Sequence, residues 1–290
     1  MIVAIYGQDY KSEANSLAFK MLVDVLLDCK VDIEVSQSFL KIQSDFSHNI
    51  YNLKTFSQLS KQVDLLVTIG GDGTILRAIT MVKDLDIPIV GVNTGRLGFL
   101  ATIKTNLIND AIKRVLDDDF NVSNRSLLSL KLDHGTIIEP NFALNEITVS
   151  RKNTTSMITV DTHLNDEYLT SYWADGLIIA TPTGSTGYSL SCGGPVISPE
   201  AQNIVLTPIA PHNLNARPLV INDTTKITLS VEGREDEFLL SLDSRIITLP
   251  KDTKLTIEKS TFTIKMVELT NNSFIDTLRK KLLWGEDSRN

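Results

Sequence analysis

The chain changes its hydrophobic periodicity near Arg125, and that change limits what it can fold into. Before it, short apolar runs alternate with stretches whose apolar residues recur every three or four positions. Ile2 to Tyr6 reads as a buried strand ended by Gly7. Glu13 to Cys29 carries Leu17, Met21, Leu22, Val25 and Leu26 at helical spacing. Ile33 to Val35, Leu65 to Ile69 and Pro88 to Val92 read as further strands, and Ile75 to Val82 and Asp110 to Leu116 as helices. Residues 36 to 60 are mixed and suggest no element. Strands alternating with helices imply a parallel sheet with helices on its faces. After Arg125 the segments SLLSLKL, NEITVS, MITVDTHL, GLIIAT, KITLSVE, FLLSLD and KLTIEK are short, alternating and rich in Thr, Ile and Val, with polar turns and no helix between them. That pattern is an all-β sandwich or related layered sheet. Near the end Phe274, Ile275, Leu278, Leu282 and Leu283 restore helical spacing, and this last helix is expected to return to the first domain. The fold class is therefore α/β plus all-β. A Rossmann-like domain is expected over residues 1–124 plus 263–290, and a β-sandwich-like domain over 125–262.

Composition narrows the function. With 290 residues, 42% of them hydrophobic, the chain can bury two such cores. The net charge is −7 and no run of Lys or Arg forms a stripe, which argues against nucleic acid or an anionic membrane as partner. No apolar run is long enough to cross a bilayer, and the start MIVAIYGQ lacks the marks of a signal peptide. Cys29 and Cys192 have no neighbour at ligand spacing, so a disulfide framework or zinc site is not expected, and a cytoplasmic location is.

Three loops carry the chemistry. GGDGT (Gly70 to Thr74) lies between an apolar strand and a helix, where glycines let backbone N–H groups approach an anion and the helix N-terminus adds a favourable dipole. No Lys-Ser/Thr follows, so this is not a Walker A loop, and the charge of a triphosphate needs a divalent metal, the helix end or Arg77. Asp72, the only acid in the loop, either takes a proton from a hydroxyl nucleophile, orients a metal, or caps the helix. NTGRLGFLA (Asn93 to Ala101) follows another strand on the same sheet edge, where open α/β sheets bind ligands. There Leu97, Phe99 and Leu100 are expected in the core, with the glycines and Asn93 shaping the site. Asp175 to Pro195, DGLIIATPTGSTGYSLSCGGP, ends a buried strand in Thr, Ser, Gly and Pro that can crowd around a ligand.

Together with Asn145-Glu146 and PHNLNARPLVI (Pro211 to Ile221), these segments resemble the NAD kinase family over about Ile2 to Trp284. The resemblance implies an α/β and a β-rich domain with the active site between them. It also implies transfer of the γ-phosphate of ATP to the 2′-hydroxyl of the adenosine ribose of NAD, giving NADP. On this reading Asp72 is the catalytic acid/base, Gly73 and Arg77 lie on the dinucleotide or phosphates, and Asn145 and Glu146 contact its sugar or base. Asp175 and the run Thr186, Gly187, Tyr188, Ser189, Leu190 and Ser191 line the rest of the dinucleotide site. The implied cofactor is Mg²⁺ or Mn²⁺ bound with the nucleotide, with no dedicated protein metal site. The implied assembly is a homo-oligomer, dimer or tetramer. Diacylglycerol and sphingoid lipid kinases carry related glycine-rich loops, and a non-catalytic NAD-binding protein is a further alternative.

The residues themselves leave points open. Strict strand alternation sends Asn145 and Glu146 to opposite faces, so both serve one ligand only at a strand end or bulge. Glu146 otherwise reads as an edge-strand residue facing solvent. Asp175, opening a buried strand, otherwise reads as a turn residue, and Tyr188 reads equally as stacking on a ring or as a half-buried core tyrosine. Cys192 reads as a small packing residue. Two positions depart from the family pattern. Gly187 stands where Ala is usual and is expected to loosen the loop, and Arg245 stands where many relatives have Gln.

Overall fold

The computed structural model describes residues 1–8, 10, 12–43, 53–133, 137–153, 156–270 and 273–283. The chain divides into two compact units, Met1–Asn124 with Ile264–Asn290, and Arg125–Thr263. The stretch 284–290 of the expected first domain lies outside the described residues, as does 44–52 of the region in which no element was expected.

The first unit is built on β1 (Ile2–Gly7), β2 (Asp32–Ser36), β3 (Lys54–Phe56), β4 (Leu65–Gly70), β5 (Ile89–Asn93), β6 (Ile103–Lys104), β7 (Phe120–Arg125) and a late strand, Ile264–Leu269. The sheet order is β3-β2-β1-β4-β5, then the late strand and β7, with β6 paired to β5. The β1, β2, β4 and β5 pairings are all parallel. Parallel neighbours need a crossover, and the sequence supplies helices at those places. Helix α1 (Glu13–Asp28) starts with the Ser12 side chain accepting from the Asn15 N–H. Helix α2 (Gln37–Ile42) joins β2 to β3, and α3 (Asp72–Val82) joins β4 to β5. The chain leaves β1 toward β2 on one side and β4 toward β5 on the other. The C-terminal ends of β1 and β4 therefore flank the point where the winding reverses, the usual ligand crevice of such sheets. Helix α4 (Ile108–Leu116) packs on α1, and the last helix, Phe274–Leu282, does return to this unit, its Phe274 ring 6.2 Å from that of Phe99.

The second unit is two antiparallel sheets. One runs Leu219–Asn222, Asn203–Ile209, Gly176–Ala180, Glu146–Arg151, Glu237–Leu242, Arg245–Pro250; the other runs Glu167–Ala174, Ile158–Leu164, Ile227–Glu232, Leu255–Lys259, Leu128–Leu132, Phe142–Ala143. Ile147, Val149, Leu177 and Ile179 of the first share one core with Val160, Leu229, Val231 and Ile257 of the second, the face-to-face packing of a sandwich. The strand Gly176–Ala180 is buried on both faces: Leu177 and Ile179 enter that core, while Ile178 and Ala180 pack with Ile197, Val205 and Cys192 on the other side. Among the described residues no helix is long and apolar enough to cross a membrane.

The sequence pattern overlooks several strands, among them Glu167–Ala174, Asn203–Ile209 and Arg245–Pro250. Asn203–Ile209 is buried along most of its length, so it shows no alternation, and Glu167–Ala174 and Arg245–Pro250 bury too few side chains to mark a face. The expectation of no helix in this half is corrected by a 3₁₀ turn at Thr183–Thr186 and a single helical turn at Tyr188–Ser191, both inside the glycine-rich segment. Of the three apolar residues expected in the core of the Asn93 to Ala101 loop, only Leu100 is buried; Leu97 and Phe99 are half-buried.

In the first unit Phe19 on α1 is fully buried, edge-on to Phe39 of α2 at 5.4 Å between ring centroids. Phe19→Ala leaves a cavity that close packing cannot collapse and is expected to cost about 3–5 kcal/mol. Urea unfolding checks this as a drop in the midpoint.

Candidate functional site

In the first unit the site is organised by Asp72, the first residue of α3. Its Oδ2 accepts from the Phe99 N–H at 2.8 Å, and its Oδ1 from Leu100 at 3.0 Å and Ala101 at 2.9 Å. The carboxylate thus joins the GGDGT turn to the next glycine-bearing loop. That loop is held in turn by Asn93, the last residue of β5. Its Nδ2 donates to the carbonyls of Arg96 and Ala101, and its Oδ1 accepts from the Gly95 N–H at 2.8 Å. A methyl group built on Gly98 would stand 1.9 Å from Asp72 Oδ1. Beside these residues Gln8, just past β1, donates to the Thr74 hydroxyl at 3.2 Å, and Thr94 donates to Asn15 at 2.6 Å. Gly73 is exposed beside Asp72. Arg77 is exposed further along α3, roughly 140° round the helix from Asp72 at 3.6 residues per turn.

In the second unit Glu146 is not an edge residue facing solvent. It opens a strand that lies between two others, and only 8% of it is exposed. The strand begins at Glu146, so Asn145 escapes the alternation and both side chains converge: the position of a Cβ on Gly187 lies 3.1 Å from Glu146 Oε2 and 3.6 Å from Asn145 Nδ2. Glu146 Oε2 is buried with no hydrogen-bond partner. Burial, reinforced by the nearby Asp243 carboxylate and opposed by a backbone hydrogen bond from Tyr188, lifts the Glu146 carboxyl from its ordinary 4.5 to about 8. An alanine at 187 would sit tight against Glu146 Oε2 and the Gly184 carbonyl, so glycine there relieves crowding around Glu146.

The backbone of Asn145-Glu146 is fixed from both sides. Asp243, in the αL region with φ 52° at the turn between two strands, accepts from the N–H groups of Leu144 (3.0 Å), Asn145 (2.7 Å) and Glu146 (3.2 Å). The Thr181 hydroxyl donates to the Leu144 carbonyl and the Thr181 N–H to the Asn145 carbonyl. Gly184 must be glycine, because a Cβ there would lie 2.0 Å from the Asn145 carbonyl oxygen. Arg245 donates to the carbonyls of Pro140 and Phe142 and lies over the Phe142 ring, so it holds the segment leading into Asn145. Asp243 escapes sequence reasoning, and Arg245, noted there only as a departure from the family pattern, has contacts that the sequence does not show. Asp-Ser between two strands signals a turn, but nothing local says where its carboxylate points.

The remaining expected residues meet at Tyr188. Asp175 pairs with Arg151 at 2.9 Å at the start of the Gly176–Ala180 strand, and partial burial, with Cys192 and the Asp175 and Glu146 carboxylates nearby, pushes the Tyr188 phenol above its ordinary value. Tyr188 is exposed, which removes the reading of a core tyrosine. Ser189 is fully buried, with its hydroxyl on Thr207 at 2.8 Å, and the Thr186 hydroxyl donates to the Thr183 carbonyl. Leu190 is half-buried and Ser191 exposed.

Comparison with known proteins agrees along the whole length. Residues 3–120 match the family described as ATP-NAD kinase N-terminal domain, and residues 144–269 match the ATP-NAD kinase C-terminal domain. The chain is 54% identical to the NAD kinase of Christiangramia forsetii and 50% to that of Flavobacterium psychrophilum, each alignment covering 100% of both chains. Among solved structures it is similar to yeast NADH kinase complexed with NADH, with a TM-score of 0.86, 27% identity, and 99% of this chain and 89% of that one covered. It is also similar to an NAD kinase from Archaeoglobus fulgidus in complex with ATP, with a TM-score of 0.77, 27% identity and coverage of 98% and 99%.

The Glu146 carboxyl makes stability depend on pH. Between 4.5 and about 8 the folded chain keeps a proton that the unfolded chain releases. Stability from this group is therefore complete below 4.5 and is lost as pH rises toward 8, at about 1.4 kcal/mol per pH unit. Glu146→Gln does not titrate. The stability difference should thus move in favour of the variant from pH 5 to pH 8 in urea unfolding; a constant difference would mean an ordinary carboxyl.

Proposed function

This chain belongs to the NAD kinase family, and we infer that it transfers the terminal phosphate of ATP to the 2′-hydroxyl of the adenosine ribose of NAD, giving NADP. The two solved relatives were crystallised with NADH and with ATP, which supports both substrate classes here. The lipid-kinase alternative is set aside, since the alignments run the full length of proteins named NAD kinase.

The environment of Asp72 carries the assignment of the base. An ionised carboxylate has about four acceptor sites. Three are taken by backbone N–H groups, two of them on Oδ1, so the remaining one is on Oδ2. A ribose hydroxyl placed there can give Oδ2 its proton as the phosphoryl group arrives. The N-terminus of α3, where Gly71 and Gly73 leave open space beside the backbone, suits the phosphates, and Arg77 extends from the same helix. Asn145, Glu146 and Tyr188, with Asp175 and the Thr186 to Ser191 run, are assigned to NAD. Glu146 Oε2, buried and unpaired, gains a partner from a ribose hydroxyl or adenine amino group. Thr186 and Ser189 act in this assignment by shaping the loop, since the Thr186 hydroxyl is engaged within it and the Ser189 hydroxyl ties it to Thr207 of the strand Asn203–Ile209.

Kinases of this kind take ATP with a divalent ion, which offsets phosphate charge. We assign Mg²⁺ or Mn²⁺ bound with the nucleotide. Among the described residues no group of three or more His, Cys, Asp or Glu could hold a metal ion, a donor set that suits an ion carried mainly by phosphate oxygens. Activity is accordingly expected to vanish in excess chelator and return with Mg²⁺; undiminished NADP formation would refute this. A cytoplasmic location and a homo-oligomer, dimer or tetramer, belong to the same proposal and rest on family resemblance.

A coupled assay for NADP formation tests the function itself, and separates a kinase from a non-catalytic NAD-binding protein. Within it, Asp72→Asn is expected to lower kcat by roughly 10²- to 10⁴-fold. Glu146→Ala and Tyr188→Ala are expected to raise KM for NAD while changing KM for ATP less. The reverse pattern would exchange the substrates between the two loops.

A further inference from the structure

The sequence places a glycine at position 98, and the backbone does not explain it. Gly98 is absent from the residues with positive φ, so its conformation is open to any side chain. The space is not. A Cβ on Gly98 would lie 1.9 Å from Asp72 Oδ1, 2.5 Å from its Cγ and 2.7 Å from its Oδ2, distances that atoms do not share. Gly95, three residues earlier in the same loop, has nothing within 4 Å of its Cβ position. The three atoms nearest to a Cβ at position 98 thus all belong to one side chain, that of Asp72.

The loop has little freedom to withdraw. Asn93 bridges it with donors to the Arg96 and Ala101 carbonyls, and Ala101 is fully buried. The three N–H groups that hold Asp72 follow Gly98 directly, and reach both carboxylate oxygens. A methyl at 98 leaves Asp72 the cheaper element to move, and a moved carboxylate abandons these donors.

We propose that Gly98 is a positioning residue for Asp72: its missing side chain lets the carboxylate seat on the amides of Phe99, Leu100 and Ala101. The bearing on turnover rests on Asp72 being the base; the steric part does not. Seating leaves one acceptor site on Oδ2 and aims it in one direction. Displacement by about an ångström is enough to lose on the order of 10²-fold in rate.

The experiment is a double-mutant cycle of Gly98→Ala and Asp72→Ala in the full chain, read by melting temperature and by NADP formation. Gly98→Ala alone should lower the melting temperature and reduce kcat by roughly 10²-fold, with KM for NAD little changed. In the Asp72→Ala background, where Oδ1, Oδ2 and Cγ are gone, Gly98→Ala should cost little further stability. Gly95→Ala should leave the melting temperature unchanged. If Gly98→Ala does not fold by itself, recovery of folding in the double variant supports the proposal and failure to recover overturns it. Equal losses in both backgrounds also overturn it. Full kcat in Gly98→Ala, beside an inactive Asp72→Asn, refutes the positioning role and leaves the base assignment intact. An active Asp72→Asn removes the base assignment, and the melting cycle still decides whether Gly98 seats the carboxylate.

Discussion

Each unit of this chain depends on one aspartate that accepts three consecutive backbone N–H groups from a distant loop. Asp72 holds Phe99 to Ala101, and Asp243 holds Leu144 to Glu146. Loops leave backbone donors unpaired, and a half-buried unpaired donor is costly. A carboxylate with several acceptor sites can satisfy three at once, and hydrogen bonds to a charged acceptor are stronger than neutral ones. One side chain thus converts a loop into a rigid support.

The two devices serve different ends. Asp72 is itself the reactive group proposed for catalysis, so its three donors orient the chemistry directly. Asp243 touches no proposed ligand position and instead fixes the backbone from which Asn145 and Glu146 project. Arg245 continues that support by binding two carbonyls upstream, which gives a structural reason for a cation at this position. The consequence is visible in Glu146. Held by its own backbone in a buried place beside another carboxylate, it keeps its proton to about 8 and leaves Oε2 unpaired. A surface glutamate would be free of both conditions.

Glycine completes each support by permitting contact. Gly98 lets Asp72 approach the loop, and Gly184 lets the Thr181 to Thr186 turn approach the Asn145 carbonyl. In neither case does positive φ demand it. Gly98 and Gly184 are thus explained by what lies against them in space, whereas Gly70 and Gly193 adopt positive φ.

Much was legible from the residues alone. The periodicity change near Arg125 is enough to separate a helix-covered parallel sheet from a sandwich, because burial on two faces, on one face or on a stripe imposes different repeats. The GGDGT turn could be placed between strand and helix, because its flanking runs are unambiguous. The limits lie where local pattern meets long-range contact. Glu146 looked like an edge residue, since alternation says which face a side chain takes but not whether another strand covers it. Phe99 and Leu97 looked like core, since apolarity does not show that a loop lies at a sheet end. Asp243 lies 97 residues from the amide of Glu146 that it receives, and Gly98 lies 26 residues from the carboxylate it admits. Sequence determined the layer class and the chemical groups; only the tertiary structure decided which groups meet, because hydrogen bonds and steric exclusion act over a few ångströms of space whatever the distance along the chain.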